Sequence, residues 1–206
     1  DGDIAPIDVI VRLSKEYNAY LAVDEAHSFG TLGTSGLGVS DYFRLDTDAI
    51  DFKVGTLGKA IGAKGGYIAG KKYMIDLLRY SANTYLFSTS LPACVMAGAK
   101  EALQCLKAQP DLVYRLQENA RYLREALEKM GFYMGLSQSH IIPIIVGCEK
   151  KAGRWQASLE KEGCLCSLVT FPAVPKDKAR LRICISASHT KAQLNTLIDA
   201  LSNLDL

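Results

Sequence analysis

The chain has 206 residues, enough for one large domain or two small ones. About half of it is apolar (49%) and 22% is charged, a globular balance that excludes disorder, collagen and coiled coil. Lys and Arg (24) exceed Asp and Glu (22) by two, too little to argue for nucleic acid or an anionic membrane surface as a partner. The opening Asp1-Gly2-Asp3 is acidic where a secretory signal is basic, so a cytoplasmic location is expected. Pro6 to about Glu16 carries Ile7, Ile10 and Val11 at helical spacing, with proline suited to the first turn. Ala19 to Val23 reads as a short buried strand ending in Asp24. A glycine-rich stretch follows, with Gly30, Gly33, Gly36 and Gly38. Ala49–Val54 and Gly66–Ala69 are two further strands. Strands separated in this way predict a mostly parallel α/β sheet.

The pattern then changes. Pro92 to Lys107 and Pro110 to Met130 are long helices, each opened by proline. Leu112, Leu116, Ala120, Leu123, Leu127 and Met130 form one stripe of the second, and Gly131 sits at its C-cap. Strands are expected at Ile141–Val146, Leu165–Thr170 and Leu181–Ile185, with a helix around Trp155–Lys161. A last helix opens on the capping box Thr190-Lys191-Ala192-Gln193. Apolar runs such as Ile144-Ile145-Val146 are far shorter than the roughly 20 residues of a membrane span. The six cysteines (Cys94, Cys105, Cys148, Cys164, Cys166 and Cys184) form no C-x-x-C pair and have no histidine at zinc spacing. They are expected to be buried free thiols, with Cys164 and Cys166 on one strand face. No metal site is expected.

Two constellations carry chemistry. Val23-Asp24-Glu25-Ala26-His27 places an acid pair and a histidine at the C-terminal end of a strand, where ligands of open α/β sheets gather. Three readings fit it: a magnesium-binding Walker B segment, an aspartate for a pyridinium nitrogen with a histidine beside it, or a plain turn cap. Gly55-Thr56-Leu57-Gly58-Lys59-Ala60 follows the second strand. Ala60 has no ligand atom where a P-loop needs Ser or Thr, whereas a lysine among small residues suits a Schiff base. Thr56 and the Ser88-Thr89-Ser90 turn offer hydroxyls to a phosphate. Arg180 and Arg182 share one face of a strand and could grip a carboxylate. Arg182, between Leu181 and Ile183, is expected to be the deeper, and Arg180 to be solvated. His140 reads as structural.

Taken in order, VDEAHSFG, the glycine-rich loop, GTLGKA, GGY, YLFSTSLP, HIIPIIVG and ARLRICISASHT resemble the α-oxoamine synthases, pyridoxal phosphate enzymes of fold type I. That group includes glycine C-acetyltransferase, 8-amino-7-oxononanoate synthase, 5-aminolevulinate synthase and serine palmitoyltransferase. The resemblance runs over the whole chain. It implies part of the cofactor-binding, aspartate aminotransferase-like large domain at 1–91, long connecting helices at 92–131 and a small α+β C-terminal domain at 132–206. Lys59 would be the Schiff-base lysine, Asp24 the partner of the pyridinium nitrogen, and His27 a donor to the cofactor's phenolic oxygen. Thr56 would bind the phosphate within the subunit, Ser88 the phosphate of the neighbouring subunit, and Arg182 the amino-acid carboxylate. A homodimer with the active site at the subunit interface follows from the same resemblance.

The implied reaction joins a small amino acid (glycine, alanine or serine) to an acyl-CoA thioester, usually with decarboxylation. The freed Lys59 would take the Cα proton, and a ring kept protonated by Asp24 would hold the charge. Members of the family are about twice as long, and DGDIAP resembles the segment after their mid-chain FSM. The chain therefore reads as a C-terminal half that is inactive alone, lacking the histidine stacked on the ring and a glycine-containing phosphate loop. Two other readings are a non-catalytic homologue, which would have no reason to keep both Lys59 and Asp24, and a DEAH nucleotide hydrolase fragment, which would need a GK[ST] loop.

Overall fold

The computed structural model describes residues 1–205. They divide into two compact units: Pro6–Val113, and Asp1–Ala5 together with Tyr114 and the residues after it.

In the first unit, α1 (Ile7–Glu16) starts behind Pro6 and buries Ile7 and Val11, one turn apart. β1 (Ala22–Asp24) runs parallel to β2 (Phe52–Thr56), with Asp24 opposite Val54. Between them lie the glycine-rich stretch and the short α2 (Val39–Tyr42). β3 (Gly66–Gly70) returns antiparallel to β2, giving the order β1-β2-β3. The sheet is therefore mixed, not mostly parallel. Loop 57–65 holds no helix and is shorter than the dozen or so residues a parallel crossover needs, so the chain turns straight back. Three helices follow: α3 (Lys72–Ser81), α4 (Asn83–Leu86) and α5 (Ala93–Ala108). Ala99 of α5 joins Leu57 and Ile61 in a small core, against which Phe29, Tyr67 and Leu91 pack.

α6 (Asp111–Lys129) carries the predicted stripe. Its Leu116, Ala120, Leu123 and Leu127 enter the core of the second unit. There β4 (Ile141–Gly147), β5 (Ser167–Val169) and β6 (Ala179–Cys184) form an antiparallel sheet in the order β4-β6-β5. Ile142 faces Ile183, and Leu181 lies between Ile144 and Leu168, so one sheet face is aliphatic. α7 (Glu149–Lys161) packs on all three strands and sets Trp155 edge-on to Phe132 at 5.9 Å. α8 (Lys191–Ser202) opens on the predicted capping box: Gln193 N–H donates to Thr190 Oγ1 at 3.3 Å, and Thr190 N–H to Gln193 Oε1 at 2.9 Å.

The cysteines correct an expectation. All six are free, but Cys94, Cys105, Cys148 and Cys184 are exposed, and Cys164 and Cys166 are only half-buried. α5 buries Ala99 alone, which leaves Cys94 and Cys105 on uncovered helix faces. Cys164 and Cys166 precede β5 and lie on no strand, but both pack against the core while Leu165 between them is exposed. Among the described residues, no helix is long and apolar enough to cross a membrane and no cluster of three or more His, Cys, Asp or Glu could hold a metal ion.

Candidate active site

The first unit brings the chemical residues to the C-terminal ends of two neighbouring parallel strands. Asp24 is the last residue of β1; its exposed carboxylate accepts the Ala26 N–H at 2.8 Å. That bond closes a tight turn and leaves the second oxygen to a ligand. The turn continues through His27, whose carbonyl accepts Thr31 Oγ1–H at 2.8 Å. Glu25 N–H donates to Val54 O on β2 at 2.6 Å, which ties the turn to the sheet.

Lys59 stands in the loop joining β2 to β3. Leu57 N–H donates to Gly65 O at 2.9 Å, Ala63 N–H to Leu57 O at 2.7 Å, and Gly62 N–H to Lys59 O at 3.0 Å. The loop is thus closed on itself with Lys59 exposed at its tip. Lys59 Nζ lies 2.9 Å from His27 Nε2. When the lysine is protonated it donates, Nε2 accepts, and the ring proton sits on Nδ1. Thr56, at the end of β2 and half-buried, donates its hydroxyl to Gly65 O at 3.2 Å and accepts Gly58 N–H at 3.1 Å. Asp24, His27, Thr56 and Lys59, remote in sequence, are assembled by two strand ends and two loops.

Ser88 is exposed after α4, and its hydroxyl donates to the Thr84 carbonyl. Arg182 lies in the second unit, half-buried on the central strand β6. The expected order of depth is reversed. Arg180 is the buried arginine, 7% exposed, with Nε donating to Lys178 O at 3.0 Å and Nη1 ion-paired to Asp1. A carboxylate from the chain's own start covers it, which the charged Lys176-Asp177-Lys178 turn did not suggest. Arg182 makes no such pair among the described residues, so of the two it is the guanidinium free to take an outside carboxylate.

Sequence reasoning gave Glu25 a role only as one of the acid pair in the Walker B reading, and gave Tyr67 none. Glu25 is 2% exposed, and its Oε2 accepts both Ser28 Oγ–H and Val39 N–H, the latter at 3.1 Å. Tyr67 crosses Gly55 on the neighbouring strand, in space that any side chain at 55 would fill. Burial, and then the carboxylates of Glu25 and Asp24, hold its phenol above the usual tyrosine range. Strand alternation turns Glu25 to the opposite side from Asp24; a carboxylate directed inward was the available signal.

Comparison with known proteins gives this geometry a context. The model of the family "Aminotransferase class I and II" matches residues 1–201. The 8-amino-7-oxononanoate synthase of Petrotoga mobilis is 44% identical over 195 residues, 95% of this chain and 49% of that protein. The 8-amino-7-oxononanoate synthase 1 of Bacillus subtilis is 42% identical over 201 residues, 98% of this chain and 51% of its own. Among solved structures, a serine palmitoyltransferase variant from S. paucimobilis with a bound PLP–myriocin aldimine superposes with a TM-score of 0.91 at 32% identity. That match covers 98% of this chain and 51% of the other. The chain spans about half the length of the curated relatives it matches.

Proposed function

The chain belongs to the class I and II aminotransferase family, and from that premise we propose that it acts in a pyridoxal phosphate-dependent condensation of a small amino acid with an acyl-CoA thioester. The relatives named above are α-oxoamine synthases, whose motifs this chain carries in order. The single observation behind the reading is the approach of Lys59 Nζ to His27 Nε2 beside the end of β1, where Asp24 stands.

The donor set fits the cofactor. Asp24 keeps one carboxylate oxygen for a protonated ring nitrogen, Lys59 supplies a primary amine, and Thr56 would serve a phosphate by turning its hydroxyl away from Gly65 O. When bound, the pyridinium ring supplies the electron sink for a carbanion at the amino-acid Cα. Lys59, once displaced, is the base for the Cα proton, and His27 beside it holds a proton at Nδ1 or Nε2 according to the state of its neighbour. Arg182 would orient the substrate through its carboxylate. Decarboxylation, a homodimer with Ser88 serving the neighbouring site, and a cytoplasmic location belong to the same proposal. A non-catalytic homologue is the second reading; the intact Lys59–His27 contact favours the first.

Borohydride reduction of the chain with pyridoxal phosphate, followed by peptide mapping, tests the assignment. The label is expected on Lys59. A label on Lys53 or Lys64 would overturn it.

A further inference from the structure

Glu25 is an expensive residue to bury. Its side chain is almost wholly removed from water, both of its donors converge on Oε2, and Oε1 has no hydrogen-bond partner among the described residues. A carboxyl left half-satisfied in this way destabilises a fold unless its bonds accomplish something else. Those bonds surround one residue. Ser28 N–H and Phe29 N–H donate to the Glu25 carbonyl at 3.1 and 3.0 Å, and Ser28 Oγ–H donates to the Glu25 side chain. The segment between, Ala26-His27, is thereby closed into a turn by backbone and side chain together. Val39 N–H, from the far end of the glycine-rich loop, binds the same oxygen. Gly38 has φ +83°, and a Cβ there would collide with the Glu25 carboxylate. Only glycine lets the loop reach it.

We propose that Glu25 is a positioning residue: its buried carboxyl clamps the 25–29 turn to the Gly38–Val39 end of the loop and so fixes the His27 imidazole against Lys59. The hydrogen bonds of Glu25 go to Ser28, Phe29, Val39 and Val54, so it acts through the backbone of His27. The clamp rests on the proposed function only in that Lys59 is taken as the cofactor lysine.

The test uses the full chain without cofactor. Its three histidines allow the His27 ring nitrogens to be followed by nitrogen-15 NMR. Glu25→Ala and Gly38→Ala are each expected to move the His27 signals towards those of a free imidazole. Both should slow capture of pyridoxal phosphate by Lys59 by about tenfold or more, the effect of a misplaced reacting group. Glu25→Gln keeps an acceptor for Ser28 and Val39 and should restore both readouts. Ile50→Ala, a core truncation elsewhere in the unit, lowers the melting temperature and should leave the His27 signals in place. If Glu25→Ala does not fold, Ser28→Ala carries the test, with a smaller shift in the same direction. Unmoved His27 signals in the clamp variants, or an equal movement in Ile50→Ala, would reduce Glu25 to a structural role. The NMR arm needs no cofactor, so its failure is distinct from labelling of a different lysine.

Discussion

Arg180 and Arg182 have the same side chain and share a strand face, yet Arg180 is buried and ion-paired to Asp1 while Arg182 is half-buried. Replacing Arg182 with lysine keeps the charge and loses the planar fork. If Arg182 takes the amino-acid carboxylate as proposed, amino-acid binding is expected to weaken by roughly 1.5–3 kcal/mol, read as a raised KM in the active enzyme, with little change in melting temperature. Arg180→Ala should do the opposite. Its partner Asp1 keeps 43% of its side chain in water, so the loss is expected near 1–2 kcal/mol of stability, below that of a fully buried pair. Equal KM effects from the two substitutions would remove the distinction. The thiols divide in the same manner. Burial, aided by Glu160 and Cys164, pushes the Cys166 thiol up to about 11, and burial also raises Cys164. A raised thiol pKa leaves less thiolate, about one part in a thousand for Cys166 at pH 8. Iodoacetamide at pH 8 should therefore modify exposed Cys94, Cys105, Cys148 and Cys184 well before Cys166, a gap that narrows as pH rises towards 11. Mass mapping over time checks the order. At this scale Asp24, His27 and Lys59 drew notice as an acid, a histidine and a lysine near strand ends, but their separate roles came from the resemblance of the ordered motifs, and the structure adds the Lys59–His27 contact. The Glu25 clamp was not legible, since its partner Val39 is reached only once the loop has folded back.

Among the elements, legibility tracked how much of each helix or strand faces a core. α6 was readable because its stripe is buried almost residue for residue. α3 was missed although it is amphipathic: Tyr73, Leu77 and Tyr80 fall at helical spacing but on an exposed face, and Met74 alone is buried. The first strand was placed too early, at Ala19–Val23, because apolar composition was taken for pairing. Tyr20 is 76% exposed, and the ladder with β2 starts at Ala22, behind a single bond from Phe52 N–H to Leu21 O at 3.0 Å. The antiparallel return of β3 is set by the short Lys59 loop, a matter of chain length that apolar runs do not encode. The last helix was legible at its first residue. Thr190 and Gln193 form their reciprocal bonds, and Leu194, Ala200 and Leu201 follow into the core. Thr190→Ala removes one bond of the pair and is expected to lower stability by about 1 kcal/mol, measured by calorimetry. Thr190→Ser should restore most of it.

On the scale of the molecule, the division into two units has its own bearing on that measurement. Each has its own sheet, and the aliphatic cluster of the second draws every member from Leu116 onwards. The site argued from Asp24, His27, Thr56 and Lys59 lies wholly in Pro6–Val113, while Thr190, Arg180 and Arg182 belong to the other unit. Separate cores can melt separately, and a single midpoint then ceases to describe the protein. A calorimetric trace of this chain is expected to resolve into two overlapping endotherms. Thr190→Ala should displace one of them and Ile50→Ala the other. One cooperative peak, moved as a whole by either substitution, would mean that heat does not respect the boundary at Val113. Two resolved endotherms would make thermal stability in this protein a pair of quantities, so that a stabilising change in one half would be no guarantee for the half that carries the lysine.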